Sequence, residues 1–294
     1  MHIPPGHKGG GNDTEVTDKD FQPGTQCQLK EKDNNIDNDD PVIHDREAPG
    51  GYTILYGYHR NIVRNCPGGC QVKGVILLSG GLDSATVAAW KIREGAVLHG
   101  LTFIYGQRHS LETERARKLA ETLGILPHHL VPLPIELFRG SALTESDIRV
   151  PEDQEIGNTI PATYVPARNL VFLSMAVAYA ESHDLDTIYI GANAIDFSGY
   201  PDCRPFFIDR MNEVAQAATR RGAEGKPIRI EAPLVTMSKA DIVRKGVQLG
   251  LDFSLTTSCY NPGPEGAPCR RCDACRLRAR GFQEAGIQDP LVLL

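Results

Sequence analysis

Residues 75–86 read Val-Ile-Leu-Leu-Ser-Gly-Gly-Leu-Asp-Ser-Ala-Thr. The apolar run 75–78 suits a buried strand, and the text at 85–93 suits a helix. Between them, Gly80 and Gly81 let the backbone turn tightly, so a helix N-terminus presents free N–H groups at the strand's exit. Ser79 and Ser84 add hydroxyl donors, and Asp83 adds a carboxylate. A carboxylate beside a phosphate cradle repels the ligand unless a divalent cation lies between them. The stretch Leu78, Ser79, Gly80, Gly81, Leu82, Asp83, Ser84 is therefore expected to hold a metal-bound polyphosphate. The alternative is an ordinary glycine turn. A kinase-type phosphate loop is disfavoured, because no lysine follows Gly81.

Outward from this loop, strand and helix patterns alternate. Strands are expected at 97–104, 129–132, 187–191 and 228–232. Helices are expected at 111–123 (ending at Gly124), 169–181, 205–219 and 239–249, the last with Ser238 as its N-cap. Residues 133–161 are rich in proline and acid and read as an irregular excursion. Such alternation predicts an α/β fold with a doubly wound parallel sheet, its ligand at the carboxyl ends of the strands. The segments at those exits are polar: 105–109, 163–169 and 191–204. They contain Arg108, Arg168, Asp202 and Arg204, cations and a carboxylate suited to anion and proton chemistry. Lys239 is a candidate point charge for phosphate. Cys203 has no base beside it in sequence and reads as a wall residue rather than a nucleophile.

The chain has 294 residues and a net charge of −6, with a pI of about 5.9. That balance argues against a large nucleic-acid footprint, while leaving room for a small anionic substrate. No run approaches the ~18 apolar residues of a membrane span, and the N-terminus lacks the pattern of a secretory signal, so a cytoplasmic location is expected. Residues 1–50 are polar and acidic, too poor in apolar side chains to bury a core, and are expected to be disordered. Residues 51–71 form an uncertain linker. Cys66 and Cys70 lie within it but have no completing ligands nearby. A start site nearer Val72 would explain why the upstream text carries no structural duty. The sheet domain is expected over 72–250.

Residues 251–294 form the last segment. Of the eight cysteines, four are Cys259, Cys269, Cys272 and Cys275. Two overlapping Cys-x-x-Cys spacings and one distal cysteine supply enough thiolates to close a tetrahedral zinc shell, one Zn²⁺ per chain. A closed shell leaves no open position for water, so the site reads as structural. An iron–sulfur cluster is the alternative. Arg270, Arg271, Arg276, Arg278 and Arg280 surround the cysteines. They read as a solvated basic helix, or more sharply as a contact for RNA.

The stretches LSGGLDSAT (78–86), TFIYGQRHSLE (102–112), TYVPARN (163–169), GANAIDFSGYPDCRP (191–205), PLVTMSKADIV (233–243) and SLTTSCYNP (254–262) occur in one order with the cysteines that follow. Together they resemble the 7-cyano-7-deazaguanine synthase family, within the PP-loop ATP pyrophosphatases. The resemblance covers about residues 72–282. It implies the PP-loop (adenine nucleotide alpha hydrolase-like) fold, with residues 79–84 as an ATP loop and the four cysteines as zinc ligands. It implies a pocket lined by the motifs of Arg108, Arg168, Asp202 and Arg204, and a homodimer. The implied reaction is ATP-dependent conversion of 7-carboxy-7-deazaguanine and ammonia to the nitrile, with Mg²⁺ near Asp83. One departure stands out: the family pattern usually carries a glutamate after Cys-Arg-Pro, where this chain has Phe206. A relative that stops at the amide, or hands the activated acid to another amine, is therefore the alternative.

Overall fold

A computed structural model describes residues 71–107, 110–153, 159–193, 199–263 and 266–292. The expectations for 1–50 and 51–70, including Cys66 and Cys70, lie outside the described residues, as does Arg108.

Five strands form one parallel sheet: β1 (Lys73–Leu77), β2 (Val97–Ile104), β3 (His128–Pro132), β4 (Thr187–Tyr189) and β5 (Arg229–Glu231), in the order β3-β2-β1-β4-β5. Val75 pairs with His99 on one side and Ile188 on the other, so β1 is central. Its side chains alternate between two faces, as the pleat requires. Val75 and Leu77 join a core with Phe103, Phe172, Leu173 and Ile208, while Ile76 and Leu78 join a second core with Leu98, Leu119, Ile242 and Phe282. A strand buried on both faces explains the unbroken apolar run.

Helices α1 (Leu82–Arg93), α2 (Leu111–Leu123) and α6 (Lys239–Gln248) supply the second core; α3 (Arg168–Ser182) and α4 (Pro205–Ala218) supply the first. The chain leaves β1 toward β2 and β3, then returns to lay β4 and β5 on the other side of β1. The winding therefore reverses between β1 and β4, where a doubly wound sheet opens a crevice. Helix α1 begins at Leu82, earlier than its apolar text, because the polar Asp83 and Ser84 form its first turn. The helix expected at 205–219 ends at Ala218. Thr219 is extended, and its Oγ1 accepts the Gly222 N–H to start the short α5 (Arg220–Ala223). Ser238 caps α6 by accepting the Asp241 N–H at 3.2 Å.

The C-terminal α7 (Asp273–Ala285) packs along α6, and its Phe282 enters the second core. Its arginines are not uniformly solvated, contrary to the expectation of a solvated basic helix. Arg278 is buried and donates to both oxygens of Asp289 at 2.7 and 2.9 Å, to Thr256 Oγ1 and to the Phe253 carbonyl. A buried guanidinium is tolerated because those acceptors satisfy it. Among the described residues, no helix is long and apolar enough to cross a membrane.

Candidate active site

A cavity of about 260 Å³ opens at the carboxyl ends of β1, β2 and β4, lined by residues of the loop after each. The loop after β1 forms its floor. Gly80 has φ +78°, and a Cβ there would come within 2.3 Å of the Glu112 carbonyl oxygen. Only glycine fits both the conformation and the contact. The exit of β4 presses on the same loop, since a Cβ on Gly191 would lie 2.7 Å from the Ser84 nitrogen. Ser84 Oγ accepts the Ser79 N–H at 3.2 Å and lies 3.0 Å from Ser79 Oγ, so the two hydroxyls brace the turn. The Gly80 carbonyl accepts the Thr257 N–H at 2.9 Å, tying the loop to the segment that enters the cysteine cluster. Gly80→Ala is expected to cost on the order of 2–3 kcal/mol from backbone strain and the carbonyl clash. Thermal and urea unfolding would check this; a loss below about 0.5 kcal/mol would contradict the tight fit.

Asp83 and Lys239, 156 positions apart, meet at the cavity wall. The Lys239 ammonium donates to both carboxylate oxygens at 2.9 Å. The carboxylate that looked unbalanced beside a phosphate cradle thus already has a cation at hand. Arg168, the first residue of α3, also lines the cavity and donates to the Tyr105 hydroxyl at 2.9 Å. Burial works against its charge, but Tyr105, Tyr200 and the Asp202 carboxylate outweigh burial and raise its pKa. It is a fixed cation. Aromatic groups close the wall: Tyr105, Phe172, Tyr200 and Tyr260, with Thr163 Oγ1 2.8 Å from the Tyr200 hydroxyl.

Other expected site residues fall elsewhere. Asp202 is 6% exposed and does not line the cavity; its Oδ2 accepts the Asn169 N–H at 3.0 Å and so holds the start of α3. Arg204 is exposed at the entry to α4, away from the cavity wall. Phe206 is 68% exposed, with the Arg210 guanidinium 4.9 Å over its ring, and it too lies off that wall. Cys203 does line the cavity. Burial and the Asp202 charge push its thiol up to about 12, which suits a wall rather than a nucleophile. Glu112, inside the motif at 102–112, was legible only as the start of a helix, yet it lines the cavity.

The four expected cysteines come together. Their sulfurs all lie within 4.8 Å of one another, and Cys269 Sγ is 4.0 Å from Cys275 Sγ. A tetrahedral shell with Zn–S near 2.3 Å needs sulfurs about 3.8 Å apart, so the set fits one ion with a slight contraction. Cys259 Sγ accepts the N–H of Asn261 at 3.4 Å and of Cys269 at 3.2 Å, and Cys269 Sγ accepts that of Cys272 at 3.4 Å. Such donors stabilise thiolates. The excursion after β3 is clamped to this knot. Arg271 pairs with Glu152 at 3.2 Å and Asp153 at 2.8 Å, and Glu152 bridges to Cys272.

Residues 73–286 match the family profile described as "Queuosine biosynthesis protein QueC". A curated relative from Magnetococcus marinus, described as 7-cyano-7-deazaguanine synthase, is 53% identical over 219 residues, spanning 74% of this chain and 96% of the relative. One of the same description from Geobacter sp. is 51% identical over 221 residues, spanning 75% and 97%. Among solved structures, NMN synthetase from Francisella tularensis aligns with a TM-score of 0.40 at 18% identity, covering 78% of this chain and 83% of that one. A 4-thiouridine synthetase in complex with RNA and bound ATP aligns at the same score and identity, covering 72% and 53%.

Proposed function

The chain belongs to the QueC family and is a 7-cyano-7-deazaguanine synthase of queuosine biosynthesis, and we propose that the cavity at the β1–β4 crevice performs the reaction by two successive adenylations. The observation that carries this reading is the shared wall: a glycine-turn helix N-terminus, Lys239 and Arg168 line one cavity.

A carboxylate is a poor electrophile. In this reading the substrate acid, 7-carboxy-7-deazaguanine, attacks the α-phosphorus of ATP, expelling pyrophosphate and forming an acyl-adenylate. Ammonia displaces AMP to give the amide. The amide oxygen attacks a second ATP, and loss of the second AMP leaves the nitrile. Backbone N–H groups at the start of α1, residues 82–84, receive the triphosphate, while those of Ser79 and Gly81 brace the loop itself. Lys239 exchanges its contact with Asp83 for the phosphates and offsets developing charge. Arg168 receives the substrate carboxylate, and the aromatic walls hold the flat heterocycle. Asp83 would hold Mg²⁺, which supplies charge neutralisation at the departing pyrophosphate. Asp202 is assigned a positioning role through Asn169. Arg108 and Arg204 keep only the roles the family resemblance gives them.

Cys259, Cys269, Cys272 and Cys275 would hold one zinc ion as a structural knot; their sulfurs are too close together to surround a multi-iron cluster. The close-set free thiols suit a reducing, cytoplasmic setting. A homodimer is included in the proposal. Phe206 and Val214, both exposed two turns apart on α4, are a self-contact candidate, and a monomer mass by light scattering would reject it. The motive for an amide-only product was Phe206, and its position off the cavity wall weakens that alternative. Incubation with the acid, ATP, Mg²⁺ and ammonium, followed by mass spectrometry, tests the whole. The nitrile is expected; unchanged acid would reject the proposal, and amide alone would favour the alternative.

A further inference from the structure

The proposed reaction releases protons from nitrogen repeatedly. Ammonia adds to the acyl-adenylate as a cationic nitrogen and must shed one proton to become the amide. The amide sheds one more as its oxygen takes the adenylyl group, and the resulting imidate sheds its last as AMP leaves. Each step needs a proton acceptor within reach of the reacting nitrogen.

Among the described residues that line the cavity, none is a histidine, and the carboxylates are Asp83 and Glu112. Asp83 is engaged at both oxygens by Lys239, and in the reading above it would hold Mg²⁺ once Lys239 turns to the phosphates. No hydrogen bond or ion pair among the described residues reaches the Glu112 carboxylate. The first turn of α2, which carries Glu112, packs against Gly80 of the nucleotide loop through the Glu112 carbonyl, and Glu112 and Arg168 line the same cavity, close enough for the guanidinium to act on the carboxylate. We propose that Glu112 is the proton acceptor for the reacting nitrogen, in amide formation and again in the conversion of amide to nitrile.

The inference rests on the reading of the cavity given above. Glu112 takes an N–H proton from the O-adenylyl imidate. The N–H electron pair becomes the third C–N bond, and the C–O pair leaves with AMP. Glu112 passes each proton to solvent between steps. Burial pushes its carboxyl up to about 7, against the pull of the Arg168 guanidinium. Such a group is basic enough to accept protons and about half ionised at neutral pH. Among the described residues, the charged and titratable groups acting on it are Arg168 from α3 and Tyr105 from the β2 exit. The same cavity is lined by the Lys239–Asp83 pair, Cys203, Cys259, Tyr200, Tyr260 and Arg278.

Starting from the amide with ATP removes the titration of ammonia from the assay. Wild-type kcat for nitrile formation should then fall on the acid side with a midpoint near 7, and Glu112→Gln should lower it by about 100-fold and abolish that limb. Pyrophosphate release from the acid and ATP without ammonia moves no proton and should stay within about threefold. Equal losses in both assays would make Glu112 a binding or packing residue and overturn the proposal, as would an unchanged amide rate. If Glu112→Gln does not fold, the wild-type profile decides, because a flat rate between about pH 6 and about pH 8 contradicts an acceptor of this kind. Wild-type protein that releases no pyrophosphate from the acid would sink the reading of the cavity itself. Nitrile formation that survives the substitution would sink this inference alone.

Discussion

Cys272→Ser is expected to abolish stoichiometric zinc and to lower the melting midpoint by on the order of 10–20 °C. A closed thiolate site contributes upward of ~5 kcal/mol to folding, and each 1 kcal/mol is worth about 2–4 °C in a domain of this size. The effect is large because the cluster ties the excursion to the start of α7. Cys272 bridges to Glu152 in the excursion, Arg271 clamps the same excursion, and Cys275 lies in the first turn of α7. Little apolar surface replaces the metal there: the local core is Ala142, Val150, Ala274 and the sulfurs themselves. The damage should reach the nucleotide loop through the Thr257 N–H bond to the Gly80 carbonyl. Metal analysis with calorimetry checks this. A variant that keeps the wild-type midpoint while lacking metal would show that the knot is not structural.

Arg168→Met should reduce turnover of the acid by on the order of 1,000-fold, the ~4 kcal/mol expected when a partly buried carboxylate loses its charged partner. The loss should be selective. The neutral amide presents no carboxylate, so its conversion to nitrile should suffer far less. The guanidinium is held in place by the Tyr105 hydroxyl at 2.9 Å, and α3 starts from a left-handed turn at Ala167, φ +54°. Parallel kinetics on acid and amide decide the matter. Equal losses on both substrates would remove Arg168 from carboxylate binding.

Much of this was legible in the linear text. The apolar run before Gly80, the glycine at 124 and the serine at 238 each carry a local physical signal, so β1, the end of α2 and the start of α6 are where periodicity and capping put them. The cysteine spacing is likewise local enough to assemble on paper. What could not be read depends on distant partners. Asp83 looked like a bare carboxylate because Lys239 lies 156 positions away. Arg278 looked solvated because its neutralising Asp289 is recognisable only once the chain turns after α7. Asp202 looked like a pocket group because it follows a strand exit, yet its carboxylate points to the Asn169 backbone. Glu112 carried no signal beyond a helix-opening acid; only the fold brings it to the cavity wall.

If the crevice adenylates the substrate twice, both carboxylate oxygens must depart on AMP. Acid labelled with oxygen-18 at both carboxylate positions, turned over with ATP and ammonium, should yield AMP carrying one heavy oxygen per molecule and a nitrile carrying none. Unlabelled AMP, or heavy oxygen appearing in pyrophosphate or phosphate instead, would contradict transfer to the α-phosphorus and with it the role given to the glycine loop after β1.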